Sequence, residues 1–272
     1  YKKIPEYKLQ NFSMTLNEFK VIFWWEFIHR FLGRLIGIFF LIPLIYFYIK
    51  LGFNKTKNFF FIFFLICTQG FIGWYMVSSG LIDRVDVSHY RLSLHLFLAF
   101  VILSFLYWNY LCCIELKLPI KKIQNYLPII FLSLIFLQII FGAFVSGMDA
   151  GRIYNSWPLM GSTYFPDDNS LINFFKLSVF NEPSLVQFIH RNLAYLIFIL
   201  YLIIFFHVRF YKLTNYFKTI YVLGILLLLQ IILGIFTLIS GAQMFIASMH
   251  QISSIFLVIS TIYLVFINYK TN

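Results

Sequence analysis

Apolar residues run along this chain in long unbroken stretches separated by short polar breaks. Seven stretches stand out, at 21–49, 59–80, 90–113, 127–147, 184–206, 217–240 and 245–267. Each is near or above the roughly 20 residues that cross ~30 Å of hydrocarbon as an α-helix. A membrane β-barrel alternates apolar and polar residues in shorter runs. These runs are continuously apolar, so helices are the reading. The pattern predicts an all-α, polytopic membrane helical bundle. Residues 1–20 are polar, hold no signal-peptide core and read as an outer loop. Segment 162–183 has no strong pattern and reads as an outer-surface lid.

A repeat organises the helices. Three share Gln, then Gly four residues later, then Ser-Gly: Gln69-Gly73-Ser79-Gly80, Gln138-Gly142-Ser146-Gly147 and Gln230-Gly234-Ser240-Gly241. Two others carry His-Arg, at His29-Arg30 and His190-Arg191, and a further histidine follows in each half, His95 and His250. The second half therefore reads Gln/Gly helix, His-Arg helix, Gln/Gly helix, His helix. The first half lacks only the first member. The expectation is an eight-helix design of two four-helix halves, with one helix preceding Tyr1. The halves fall at 1–126, an incomplete N-terminal half-bundle, and 127–272, a C-terminal four-helix half-bundle.

Composition agrees with the membrane reading: 61% of residues are hydrophobic, 22% aromatic and 11% charged. Soluble domains carry about 25% charged residues. The net charge of +11 is topological. One set of loops holds Lys50, Lys55, Lys57, Lys117, Lys121, Lys122, Arg209, Lys212, Lys218 and Lys270 against a single acid, Glu115. The other mixes Lys2, Lys3, Lys8, Lys20, Arg84, Arg152 and Lys176 with Glu6, Glu18, Asp83, Asp86, Asp149, Asp167, Asp168 and Glu182. The first set faces the cytoplasm or a mitochondrial matrix by the positive-inside rule. The partner is membrane lipid, and nucleic acid has no support. Cys67, Cys112 and Cys113 lie in or at the ends of helices and suggest buried thiols rather than a disulfide framework.

Six histidines are present. His89 and His207 sit at interfaces, where a solvated ring is the plain reading. His29, His95, His190 and His250 lie inside apolar helices, where polar groups mark function. A lone intramembrane histidine is often an interhelical donor, but four paired by a repeat point to metal ligation. By the loop assignment all four helices start on the outer side. The histidines then lie one to two turns below the outer surface, the arrangement of bis-histidine heme ligation in a bundle. A small residue follows each at four positions (Gly33, Ala99, Ala194, Ser254), leaving room for a flat ligand or for close helix packing. Zinc or di-iron sites call for thiolates or carboxylates nearby, and Glu26 is the one at hand.

Glu26 precedes His29 by three residues and shares its face. An acid in the membrane is either protonated or paired. Arg30, four residues on, is the plain partner; a proton donor or polar contact to a substrate is the functional reading. The corresponding position before His190 is Gln187, so the halves differ chemically. Arg30 and Arg191 adjoin ligand candidates and suit heme propionates, or else snorkel or pair between helices.

Six stretches together resemble the heme A synthase family in its alphaproteobacterial and mitochondrial form. They are IPEYKLQNFSMTLNEFKVIFWWEFIHRFLGR at 4–34, QGFIGWYMVSSGL at 69–81, YRLSLHL at 90–96, GAFVSGMDAGRIYNSWPLMG at 142–161, VQFIHRNLAYL at 186–196 and His-Gln at 250–251. The resemblance implies two four-helix halves and oxidation of one ring methyl of heme O to the formyl group of heme A, for cytochrome oxidase. It implies successive hydroxylation and loss of water. It places a heme b cofactor on His190 and His250, and substrate heme O near His29, His95 and Glu26. Implied partners are heme O synthase and oxidase assembly factors, and a homo-oligomer is compatible. The implied location is a bacterial or mitochondrial inner membrane, with the heme sites toward the outer side. The sequence lacks the outer-loop cysteine pair of the Gram-positive form. Two alternatives remain: a di-heme b-type cytochrome that only transfers electrons, and a repeat-built transporter, which calls for helices broken at mid-membrane.

Overall fold

A computed structural model describes residues 1–80 and 85–271, without the side chains of Ser79 and Gly80. Asp83 and Arg84 of the predicted outer charge set lie outside the described residues, as does Leu81 of the stretch at 69–81. Among the described residues the chain is helical, with α1 (Pro5–Leu9), α2 (Leu16–Leu51), α3 (Phe53–Gly80), α4 (His89–Cys113), α5 (Tyr126–Gly147), α6 (Leu171–Phe174), α7 (Pro183–Phe210), α8 (Phe217–Ile239) and α9 (Met244–Lys270). Seven of these are long and apolar enough to cross a membrane. The polytopic all-α bundle expected from the apolar pattern is what is seen.

Helix boundaries follow local chemistry. α2 begins at Leu16, ahead of the apolar run, because Thr15 and Glu18 form a capping box. The Glu18 carboxylate accepts from the Thr15 backbone N–H at 2.8 Å, and Thr15 Oγ1 accepts from the Glu18 N–H. Much of the expected outer loop 1–20 is therefore helical, in α1 and the first turn of α2. α2 stops at Gly52, whose φ of 77° is a left-handed conformation suited to glycine. Segment 162–183 contains α6 and a 3₁₀ turn at Leu177–Asn181, which seats Phe180 against Phe141 and Phe144.

The chain forms two compact units, residues 1–102 and 103–272. In the first, α2 packs on α3, with Phe40 stacked on Phe63 and Tyr48 edge-on to Phe60. In the second, α5 packs on both α7 and α9, α8 packs on α9, and α7 touches α8. Phe131, Ile204, Leu223, Val258 and Leu264 are fully buried there. Gly224 lets the Tyr201 ring cross α8: a Cβ at Gly224 would lie 2.1 Å from the Tyr201 hydroxyl, which donates to the Ile220 carbonyl. At the end of this unit, buried Asn268 accepts from Ile123 N–H (2.8 Å) and Tyr216 Oη–H (2.9 Å) and donates to the Ile123 carbonyl (3.2 Å).

Candidate functional site

In the first unit, His29 of α2 and His95 of α4 face each other with ring centroids 6.5 Å apart and planes at 73°. Two imidazoles bound to one metal at ~2 Å per metal–nitrogen bond have centroids at about this separation. One turn before His29, Glu26 pairs with Arg30, Oε2 to Nη1, at 3.2 Å. This is the i,i+4 pairing expected of a carboxylate that must not stand alone in an apolar setting. Glu26 also lines a cavity of about 570 Å³ with Tyr1, Phe23 and Ser78.

The histidines are seated by neighbours with no role assigned from sequence. Gln69 Nε2 of α3 donates to the His95 backbone carbonyl at 3.0 Å and lies 3.3 Å from the ring Nε2. One turn along α3, Gly73 forms the floor: a Cβ there would come 2.9 Å from His95 Cε1. The second unit repeats this twice. Gln138 of α5 donates to the His190 carbonyl at 3.0 Å and approaches its Nε2 at 3.3 Å. A Cβ on Gly142 would lie 3.2 Å from His190 Cε1. Gln230 of α8 donates to the His250 carbonyl at 3.0 Å and to Ser253 Oγ at 2.7 Å, and Gly234 floors the ring at 3.2 Å. The repeated Gln and Gly were legible as a pattern; their contact with the histidines was not, because it joins different helices.

These residues fit a heme. Nδ1 of His95, His190 and His250 is buried without a hydrogen-bond partner, as a nitrogen reserved for a ligand is. Among the described residues no three His, Cys, Asp or Glu side chains cluster. A metal held here by two imidazoles therefore suits a group that brings its own remaining donors, as a porphyrin does.

Arg191 of α7 holds the loop at residues 154–159. Its Nη1 donates to the carbonyls of Ser156 (3.0 Å) and Leu159 (3.3 Å), and its Nη2 to that of Tyr154 (2.9 Å). Nε is buried without a partner. Gln187, one turn earlier, donates to the Tyr154 carbonyl at 3.2 Å, and Tyr195, one turn later, accepts from Trp157 Nε1 at 2.9 Å. One face of α7 thus grips residues 154–159, directly beside His190. The Tyr154 hydroxyl donates to Asp167. Burial, and then this bond to a carboxylate, push the Tyr154 phenol up to about 12. His89 packs on Tyr90 and His207 on Tyr211, outside the four-histidine arrangement.

Comparison with known proteins follows the same lines. The profile described as cytochrome oxidase assembly protein matches residues 1–262. A heme A synthase of Pelagibacter ubique (strain HTCC1062) is 49% identical over 267 residues, covering 97% of this chain and 79% of that protein. Those of Rickettsia bellii (strain RML369-C) and Rickettsia felis (strain ATCC VR-1525 / URRWXCal2) are 41% and 40% identical, covering 94% and 98% of this chain and 78% and 81% of theirs. The chain belongs to the cytochrome oxidase assembly protein family.

Proposed function

We propose that this chain is a heme A synthase, an oxidoreductase that converts a methyl group of heme O into the formyl group of heme A. The observation that carries the reading is the face-to-face pair His29 and His95 at 6.5 Å with the Glu26–Arg30 ion pair one turn away. It sits in a chain whose relatives bear that name. Heme O is the substrate, held in the N-terminal half, 1–126, by His29 and His95. The second half, 127–272, holds heme b on His190 and His250. That heme, when bound, supplies one-electron redox chemistry that no side chain here can provide.

The protein's own residues position and protonate. Two successive hydroxylations of the methyl carbon, each a two-electron oxidation that needs an external electron acceptor, give a diol that loses water to leave the formyl group. Protons are released as hydrogen leaves the carbon, and dehydration of the diol moves one proton from one hydroxyl onto the other, which departs as water. Glu26 is the carboxylate beside His29 placed to take up a released proton, and it pairs with Arg30 at 3.2 Å. Arg30 and Arg191, each next in sequence to a ligand candidate, are the cations suited to propionate contact, Arg191 through its unpartnered Nε. The Gln187 side chain, hydrogen-bonded to the loop, stands where Glu26 stands in the other half and offers no titratable group. The halves thus suit a substrate and a resident cofactor, rather than two equivalent electron-transfer hemes. The lysine- and arginine-rich loops face the cytoplasm or matrix, the heme sites lie toward the outer side, and heme O synthase supplies the substrate.

The test is the Glu26→Ala chain in an oxidase-assembly background, with extracted hemes identified as pyridine hemochromes. The expected result is loss of heme A with heme b still bound. Two stoichiometric b hemes and no conversion by the unaltered chain would sink the reading in favour of a di-heme cytochrome.

A further inference from the structure

We propose that the Gln-x-x-x-Gly elements of α3, α5 and α8 are positioning devices for the histidines, each serving one. Gln69 and Gly73 serve His95, Gln138 and Gly142 serve His190, and Gln230 and Gly234 serve His250. The proposal rests on the reading of these histidines as heme ligands.

Three features carry it. First, the contact is the same each time: Gln Nε2 meets the histidine's own backbone carbonyl at 3.0 Å in all three cases. A helix exposes many carbonyls, and each glutamine selects the one belonging to the imidazole-bearing residue. That oxygen has a second lone pair beyond its helical bond, so the amide adds a bond without breaking one. Second, the glycine one turn along supports the ring itself: a Cβ there would come 2.9 Å from the ring at Gly73 and 3.2 Å at Gly142 and Gly234, so the ring lies closer than a larger residue would comfortably allow. The carbonyl contact fixes where the backbone of the ligand sits along its helix, and the glycine fixes how far its ring swings. Third, the residue four positions after each histidine (Ala99, Ala194, Ser254) is small. A side chain at that position lies beside the carbonyl of the histidine, so a large one would bar the glutamine.

The three devices are not identical. Gln69 and Gln138 also approach the ring Nε2 at 3.3 Å, whereas Gln230 gives its second hydrogen to Ser253. Partners of the ligand's remaining groups hold ring orientation and basicity, and losing one weakens a metal site about 10–100-fold.

The experiment uses the full chain, purified in detergent with its bound heme. Gln138→Met keeps the length and volume of the side chain and removes both donor hydrogens. Expected are heme b retention about tenfold weaker, altered g values of the ferric low-spin signal and a shifted midpoint potential for the heme that remains. Gln230→Met should move the g values less, because Gln230 does not touch its ring. Heme loss with an unaltered signal from the remainder marks mere structural support and overturns the proposal, as does an unchanged Gln138→Met. His190→Ala separates the two levels. If it loses heme b while Gln138→Met is silent, only the positioning proposal fails. If it keeps heme b with an unchanged spectrum, the ligand assignment fails and the proposal with it.

Discussion

Single residues set the chemistry, and two of them show how different their legibility was. Glu26 and its Arg30 partner were visible from a spacing of four, because i,i+4 neighbours on a helix meet whatever surrounds them. Gln69 was visible only as a repeated letter, since its partner His95 lies 26 residues away on another helix. For Glu26, the Gln variant keeps shape and removes the ionisable group. Heme A formation, followed by hemochrome extraction, should fall by about a hundredfold if a proton moves through this carboxyl. For the floor residues, Ala at Gly73 meets His95 at 2.9 Å, inside the limit at which something must shift, whereas at Gly142 and Gly234 the distance is 3.2 Å. Heme loss should therefore be greater for Gly73→Ala than for the other two, read as hemochrome per protein. Tyr154 offers a titration. Its folded phenol stands near 12 against an ordinary 10.0, so the neutral form is favoured by folding. That contribution is present in full below pH 10 and is lost as the pH rises through about 12. The tyrosinate absorbance missing from Tyr154→Phe, relative to the parent, should be centred near pH 12.

At the scale of elements, the seven long helices were legible because continuous apolar runs in a membrane protein leave few alternatives. Their ends were less so. The start of α2 was encoded in Thr15-x-x-Glu18, a capping signal masked by its place in a polar stretch. The grip of α7 on the loop at 154–159 was half-written: Gln187, Arg191 and Tyr195 recur every four residues on one face. Their targets are backbone carbonyls and a tryptophan in a segment without periodicity. The polar junction at Asn268 had no sequence signature, because an asparagine near a helix end is ordinary. Its role comes from the chain at Ile123, brought to it from 145 residues away. Asn268→Leu strands the Ile123 N–H and carbonyl and the Tyr216 hydroxyl, and each buried orphan costs about 1–3 kcal/mol. A drop in unfolding free energy of at least ~2 kcal/mol is expected in detergent unfolding followed by tryptophan fluorescence.

For the whole molecule, sidedness was written in the loops and is open to test. The cysteines, expected as buried thiols, are exposed instead, and Cys112 and Cys113 end α4 at the lysine-rich side. A membrane-impermeant thiol reagent should label them in inverted vesicles and not in right-side-out ones; the opposite labelling reverses the assigned orientation. The three glutamine contacts also differ in how much chain each must close. Gln230 and His250 are 20 residues apart, Gln69 and His95 are 26 apart, and Gln138 and His190 are 52 apart. The first two lie within successive helices, so each pair meets as soon as its hairpin has left the ribosome and the insertion machinery. The third waits for the loop between α5 and α7 to be made and gripped by α7, and longer closures form later. His190 and His250 belong one to each kind, so the heme pocket proposed on them is completed late in synthesis. A nascent chain halted before Met244 would present Gln230 and Gly234 with nothing to hold.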